Sequence, residues 1–182
     1  MERDIIRLKK FEELKQKYNK FYNSFLKKGK LPMGDTTKGF WGAAITEHIY
    51  EFFKKIKLSE YKNFLDLGSG DGKVVLIASL FGVKATGIEI DNDLIKTSLK
   101  IRDKLKLKAS FVKDDFLKYD LSKYDVIFIN PDKGFEKGLE DKLLKELKGR
   151  LYVYNQIFLP RFLKKGRTFW FDGVPVIKYT SE

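Results

Sequence analysis

The stretch Phe64-Leu-Asp66-Leu-Gly68-Ser-Gly70-Asp-Gly72-Lys-Val-Val75 decides the fold. A short apolar strand runs into glycines at every second position and then into an apolar helical segment. Glycine lets the backbone turn sharply at the strand end and leaves room for a ligand against the main chain. In open α/β sheets, ligands bind outside such strand ends, where the strand order reverses. Downstream, apolar runs predict strands over 85–90, 109–113, 124–129 and 151–156, and three-to-four spacing predicts helices over 72–81, 92–106 and 135–148. Residues 160–165 read as at most a short helix. Residues 168–172 and 176–180 flank Gly173-Val-Pro175 and read as a terminal hairpin. Upstream, Leu8, Phe11, Leu14, Tyr18, Phe21, Tyr22 and Phe25 predict an amphipathic helix over 3–28. A turn-like Gly34–Gly39 follows, then a helix over 40–56. Strands alternating with helices imply an α/β domain: a mostly parallel sheet of seven strands covered on both faces, with one strand of the final hairpin antiparallel.

Composition excludes several classes. A chain of 182 residues suits one domain, and 43% hydrophobic content excludes disorder. The longest apolar run, Val74–Val83, is about half of the ~20 residues that a membrane span needs. The N-terminus is charged from residue 2 and is no secretory signal, so a cytoplasmic protein without membrane insertion is expected. With no cysteine, disulfides, thiolate zinc sites and cysteine nucleophiles are excluded. The single histidine, His48, argues against a metal site or a Ser/His triad. The net charge is +12, from 37 basic and 25 acidic residues. Such a surface attracts polyanions, although a lysine- and glutamate-rich composition also suits a heat-adapted source. Residues 1–30 carry net +6, half of the total. That helix reads as packing on the domain, with a substrate-gripping basic arm as the alternative.

The sign of the charges around the glycines narrows the ligand. Dinucleotide folds use G-x-G-x-x-G, but here the third position is Lys73 and the glycines run Gly68, Gly70, Gly72. A pyrophosphate would be repelled by Asp66 and Asp71. A ligand with a free ammonium would be attracted to them. S-adenosylmethionine (SAM) has an ammonium, a sulfonium and no phosphate. Glu89 ends the next strand, at the spacing expected of a carboxylate that accepts both ribose hydroxyls. After the third strand, Asp115, preferred over Asp114, suits the adenine amino group, and Phe116 suits the ring. The fourth strand delivers Asn130-Pro131-Asp132 to the same edge.

This ordered set, Asp-x-Gly-x-Gly-x-Gly followed by two acids and an Asn-Pro, resembles the Rossmann-like class I SAM-dependent methyltransferases over roughly residues 36–180. Leu65–Val75, Leu139–Gly149 and the Arg150–Val153 strand resemble the small archaeal protein-lysine methyltransferases and the lysine methyltransferases of the ATP synthase c-subunit. The resemblance implies a methyltransferase domain over 31–182 behind the 1–30 helix, and methyl transfer to a lysine ε-amine. It also places Thr37, in Thr36-Thr37, where those relatives carry a cofactor-facing Pro-Thr.

Two features depart from those relatives, which mostly lack Asn-Pro after strand four and usually lack a long basic N-terminal helix and a Phe40-Trp41 pair. Asn-Pro-Pro-Tyr/Phe at this place belongs to methyltransferases of planar amines. Here the sequence is Asn130-Pro131-Asp132-Lys133, without the stacking aromatic. RNA base amines are therefore the alternative acceptor, and a non-catalytic SAM-binding module is a third reading. Asn130 would orient the acceptor amine. Asp132 would accept its proton or merely cap the next helix. Phe40 and Trp41 read as core-facing first, His48 as a surface or satisfied histidine, and Trp170 and Phe171 as sheet packing.

Overall fold

The glycine stretch folds as expected, and the sheet is built around it. The structure, a computed structural model, describes residues 2–36 and 39–182. Strand β3 (Asn63–Leu67) leads through Gly68–Gly72 into helix α3 (Lys73–Ser79). Before it come α1 (Glu2–Leu26), the short strands β1 (Met33–Asp35) and β2 (Phe40–Gly42), and α2 (Thr46–Lys55). After it come β4 (Lys84–Glu89), α4 (Asn92–Lys104), β5 (Ala109–Lys113), β6 (Val126–Ile129), α5 (Leu139–Glu146) and β7 (Arg150–Tyr154). The chain ends in β8 (Lys164–Phe171) and β9 (Val174–Thr180).

Seven strands form one sheet in the order β5-β4-β3-β6-β7-β9-β8. All run parallel except β9, which is antiparallel to both β7 and β8. The chain moves outward from β3 to β5, then returns to place β6 on the other side of β3. That reversal opens a crevice above the C-terminal ends of β3 and β6.

Adjacent strand residues serve opposite faces, as a period of two requires. Phe64, Val126, Tyr152 and Val176 join one core with α1, α2 and α3. Leu65, Ile127, Val153 and Ile177 join a second core with α5. Helix α1 belongs to the first core through buried Phe11, Leu14 and Tyr18, and Phe11 stacks on Tyr50 of α2 at 3.9 Å. Leu8, expected in that stripe, is half exposed. Arg7 takes the place, with its guanidinium 4.5 Å from the Phe81 ring centre. No described helix is long and apolar enough to cross a membrane.

Four expectations shift. The helix predicted from Phe40 starts only at Thr46, because Phe40–Gly42 pairs antiparallel with Met33–Asp35. The helix predicted from Phe135 starts at Leu139, after Gly138 at φ 89°. Residues 160–165 form no helix, and β8 begins within them. The final turn falls on Asp172-Gly173, both left-handed, so Pro175 lies in β9 opposite Trp170. Two left-handed residues give the tight turn whose twist matches the strands.

Candidate active site

A cavity of about 300 Å³ occupies the crevice at the β3/β6 reversal. One wall comes from the ends of parallel strands. Asp66, Gly68, Gly70, Glu89, Asp115, Phe116, Asn130, Pro131 and Asp132 all line it. Gly68 has φ 70° and nothing within 4 Å of the position a Cβ would take, so open space lies above it.

The carboxylates on this wall differ in what they do. Glu89 is buried and organises the backbone. Its Oε2 accepts from Gly70 N–H at 2.8 Å, and its Oε1 accepts from Ile90 and Asp91 N–H at 2.7 and 2.8 Å. Asp66 is 3% exposed. Burial first, then the Glu89 and Asp71 carboxylates, raise its pKa well above the usual carboxylate value. A buried carboxylate beside two others is stabilised by a cation, not by a phosphate. Asp115 accepts from Leu117 N–H at 3.0 Å.

Asp71 and Gly72 are placed differently from the rest of the motif. Asp71 borders the cavity, but its Oδ2 accepts from Tyr22 O–H at 2.6 Å, its Oδ1 accepts from Lys73 N–H, and its carbonyl accepts from Tyr18 O–H at 2.8 Å. Helix α1 is therefore pinned to the glycine loop. Burial pushes Asp71 up and Lys73 down, each partly offset by the other's charge. Gly72 does not border the cavity: a Cβ there would meet Ser98 of α4 and Phe111 of β5 within 2.7 Å. This glycine allows close packing of helix and strand.

The opposite wall is the β1–β2 hairpin. Phe40, Trp41 and Gly42 line the cavity, together with Thr36; Thr37 lies outside the described residues. The segment after β6 holds this hairpin in place. Asp132 Oδ2 accepts from Phe40 N–H at 2.7 Å, and Asn130 Nδ2 donates to the Gly42 carbonyl at 3.1 Å. Asn130 Oδ1 accepts from Asn155 Nδ2 at 2.9 Å. Both amide groups of Asn130 are thus engaged, and Asp132 latches β2 rather than capping the next helix, whose N-cap is Gly138.

Sequence reasoning missed Asn155. Its left-handed backbone, φ 85°, is accessible to asparagine but gives no pattern to read. It also missed Tyr18 and Tyr22 as partners of the glycine loop, since a helix stripe does not reveal what it touches. His48 is buried and satisfied between the Tyr154 hydroxyl at 3.3 Å and Asp172 at 3.1 Å. Among the described residues no group of three His, Asp or Glu could hold a metal ion.

Solved structures share this fold. An RNA methyltransferase from Salinibacter ruber, crystallised with S-adenosyl-L-homocysteine, is 23% identical; the match covers 76% of this chain and 93% of that one, with a TM-score of 0.62. A tRNA (uracil-54, C5)-methyltransferase from Pyrococcus abyssi, also with S-adenosyl-L-homocysteine, is 13% identical over 81% of this chain and 44% of its own, at 0.64. The magnesium protoporphyrin IX methyltransferase of Synechocystis, with SAM bound, is 11% identical over 73% of this chain and 76% of its own, at 0.61. No curated protein matches the sequence. The family model of the ANTKMT methyltransferase domain matches residues 66–158, from the β3 aspartate to the loop after β7 and just over half of the chain. This chain is a SAM-dependent methyltransferase of the ANTKMT methyltransferase domain family.

Proposed function

We propose that the protein methylates the ε-amino group of a lysine in a protein substrate, with SAM as donor. The donor set fits that cofactor. Buried Asp66 needs a positive partner, and the space above Gly68 admits a ligand against the backbone. Asp66 would hold the ammonium of SAM, Glu89 the ribose hydroxyls, and Asp115 with Phe116 the adenine. When bound, SAM supplies an electrophilic methyl group on a sulfonium.

The observation that carries the choice of acceptor is the state of Asn130. A methyltransferase of planar base amines needs that side chain to receive the NH₂ group. Here its nitrogen is given to Gly42 and its oxygen to Asn155, and an aspartate and a lysine follow Pro131 where a stacking aromatic would stand. A flexible alkyl amine needs neither group. It needs an apolar passage in which it stays neutral, since free lysine has a pKa near 10.4 and only the unprotonated amine is a nucleophile. Phe40, Trp41 and Pro131 line the cavity and suit such a passage. The proton leaves to solvent at the mouth, and positioning provides most of the acceleration. The family, ANTKMT, supports the same acceptor class.

Labelled SAM, protein and cell extract test this reading, with one half treated with RNase and the other with protease. Label that survives RNase and is lost to protease, with methyl-lysine in the hydrolysate, is the expected result. Label lost to RNase would move the acceptor to RNA, which the exposed basic face of α1 could then contact. Micromolar SAM binding with no label in either fraction would leave a binding module.

A further inference from the structure

Trp41 stands where two independent sets of contacts meet. Its pyrrole edge abuts the glycine loop: a Cβ at Gly70 would lie 2.6 Å from Trp41 Cδ1 and 2.9 Å from Nε1. Behind the indole are two rings of α1, Phe21 at 6.3 Å and Phe25 at 6.0 Å, tilted by 48° and 47°. The peptide groups on either side are tied down, Phe40 N–H to Asp132 and the Gly42 carbonyl to Asn130, and Trp41 itself pairs with Gly34. With an edge on Gly70 and two rings at its back, the indole turns its remaining surface to the cavity that it lines.

The charge of that region decides what such a ring meets. Asp66, at the end of β3 near Gly68 and Gly70, is a buried cavity carboxylate whose ionised form a neighbouring cation would favour. The α1 rings behind the indole already hold one buried cation: Phe21 lies 5.5 Å from Tyr22, and Lys73 Nζ lies 4.8 Å from the Tyr22 ring centre and 5.8 Å from that of Tyr18. An aromatic face attracts a cation within about 6 Å of its centre, most strongly for tryptophan.

We propose that Trp41 presents its indole face to the sulfonium of SAM, so that the ring favours the charged donor over the neutral product S-adenosylhomocysteine. This rests on the SAM reading of the cavity. Asn130 and Asp132 then act as positioning residues, because they fix the strand that carries the ring. The consequence is a built-in preference: the product, having lost its charge with the methyl group, loses this contact and is released more readily.

The chain has two tryptophans, so Trp170→Phe leaves Trp41 alone. Trp170 is 58% exposed and does not border the cavity. Mono- and difluorotryptophan, incorporated into that variant, drain the ring of electron density with little change in shape. Calorimetric titration with SAM and with S-adenosylhomocysteine then reads the effect without any turnover. SAM affinity should fall stepwise, to roughly tenfold weaker in the difluoro protein, while product affinity stays within about twofold. Trp41→Leu should remove the preference altogether, and its retained product binding shows that it has folded; if it does not fold, the fluorinated series decides alone. Equal changes for both ligands, or none, would overturn the proposal while leaving the SAM site intact. Failure of both ligands to bind even the unsubstituted protein would overturn the SAM reading and this inference with it.

Discussion

The two walls of the cavity are made in opposite ways. The strand-end wall is local: Asp66, Gly68 and Gly70 lie within five residues, Glu89 ends the next strand and Asp115 follows the one after it. The hairpin wall is assembled from distant segments. Trp41 is held by α1, by residues 130–132 and, through Asn130, by Asn155. The first wall carries the carboxylates Asp66, Glu89 and Asp115; the second carries the aromatic rings of Phe40 and Trp41. Charge selection can therefore be lost at a single residue, whereas the aromatic wall is weakened by degrees.

The largest effect belongs to Asp66. Its Asp66→Asn variant should bind SAM about a hundredfold more weakly or worse, because a buried charge pair loses one partner. The same change should stabilise the ligand-free protein. The native pKa is raised, so between the ordinary carboxylate pKa and the raised value the unfolded chain ionises first and the native state loses stability as pH rises. At neutral pH the amide escapes that penalty, and the melting temperature of the free protein should rise by about 2–5 °C. By the same sign, a cation bound beside Asp66 favours the ionised form, so SAM binding should release a proton wherever the free carboxyl is protonated. Titration calorimetry in two buffers of different ionisation heat, with thermal melts, checks all three outcomes. A lower melting temperature for Asp66→Asn would remove Asp66 from the charge argument.

Tyr22→Phe sharpens the comparison by loosening the strand-end wall without removing a charge, since Tyr22 pins α1 to the glycine loop. It strands the buried Asp71 carboxylate without its hydroxyl donor, at a cost of about 2 kcal/mol. The melting temperature should fall by roughly 4–8 °C, with SAM affinity reduced by about threefold through the loosened loop. If affinity collapses as far as in Asp66→Asn, the charge of the strand-end wall does not act apart from the support of its loop.

The smallest effect is expected at Asp132, which touches β2 through one hydrogen bond. Asp132→Ala should speed hydrogen exchange at Phe40–Gly42 and weaken SAM by about threefold, while the pH dependence of kcat keeps its shape. Loss of a limb of that profile in Asp132→Asn would instead make it the proton acceptor.

Legibility in the sequence followed the same division. β5 falls on the residues expected, and β4 and α4 differ by a residue or two at their ends, because apolar runs bounded by glycine, aspartate and lysine are local signals. The sequence predicts helix at Phe40–Gly42 because the three-to-four spacing of α2 extends back into it. What makes it a strand is pairing with Met33–Asp35 and bonds to residues some ninety positions away. Polar residues after a strand end read as a site, and the sequence gives no sign that Asn130 and Asp132 also hydrogen-bond to the β2 backbone.

What the sequence alone determined is the sheet, its reversal beside Gly68 and the acidic character of one cavity wall, since each rests on neighbours in the chain and on the sign of charge. What only the tertiary structure decided is the fate of side chains whose partners are remote. Asp71 went to Tyr22, Gly72 to Ser98 and Phe111, Asn130 to Gly42 and Asn155, and Trp41 to the glycine loop. A polar or aromatic group can satisfy itself with any complementary partner, and which one comes within reach is fixed by packing rather than by its neighbours in sequence.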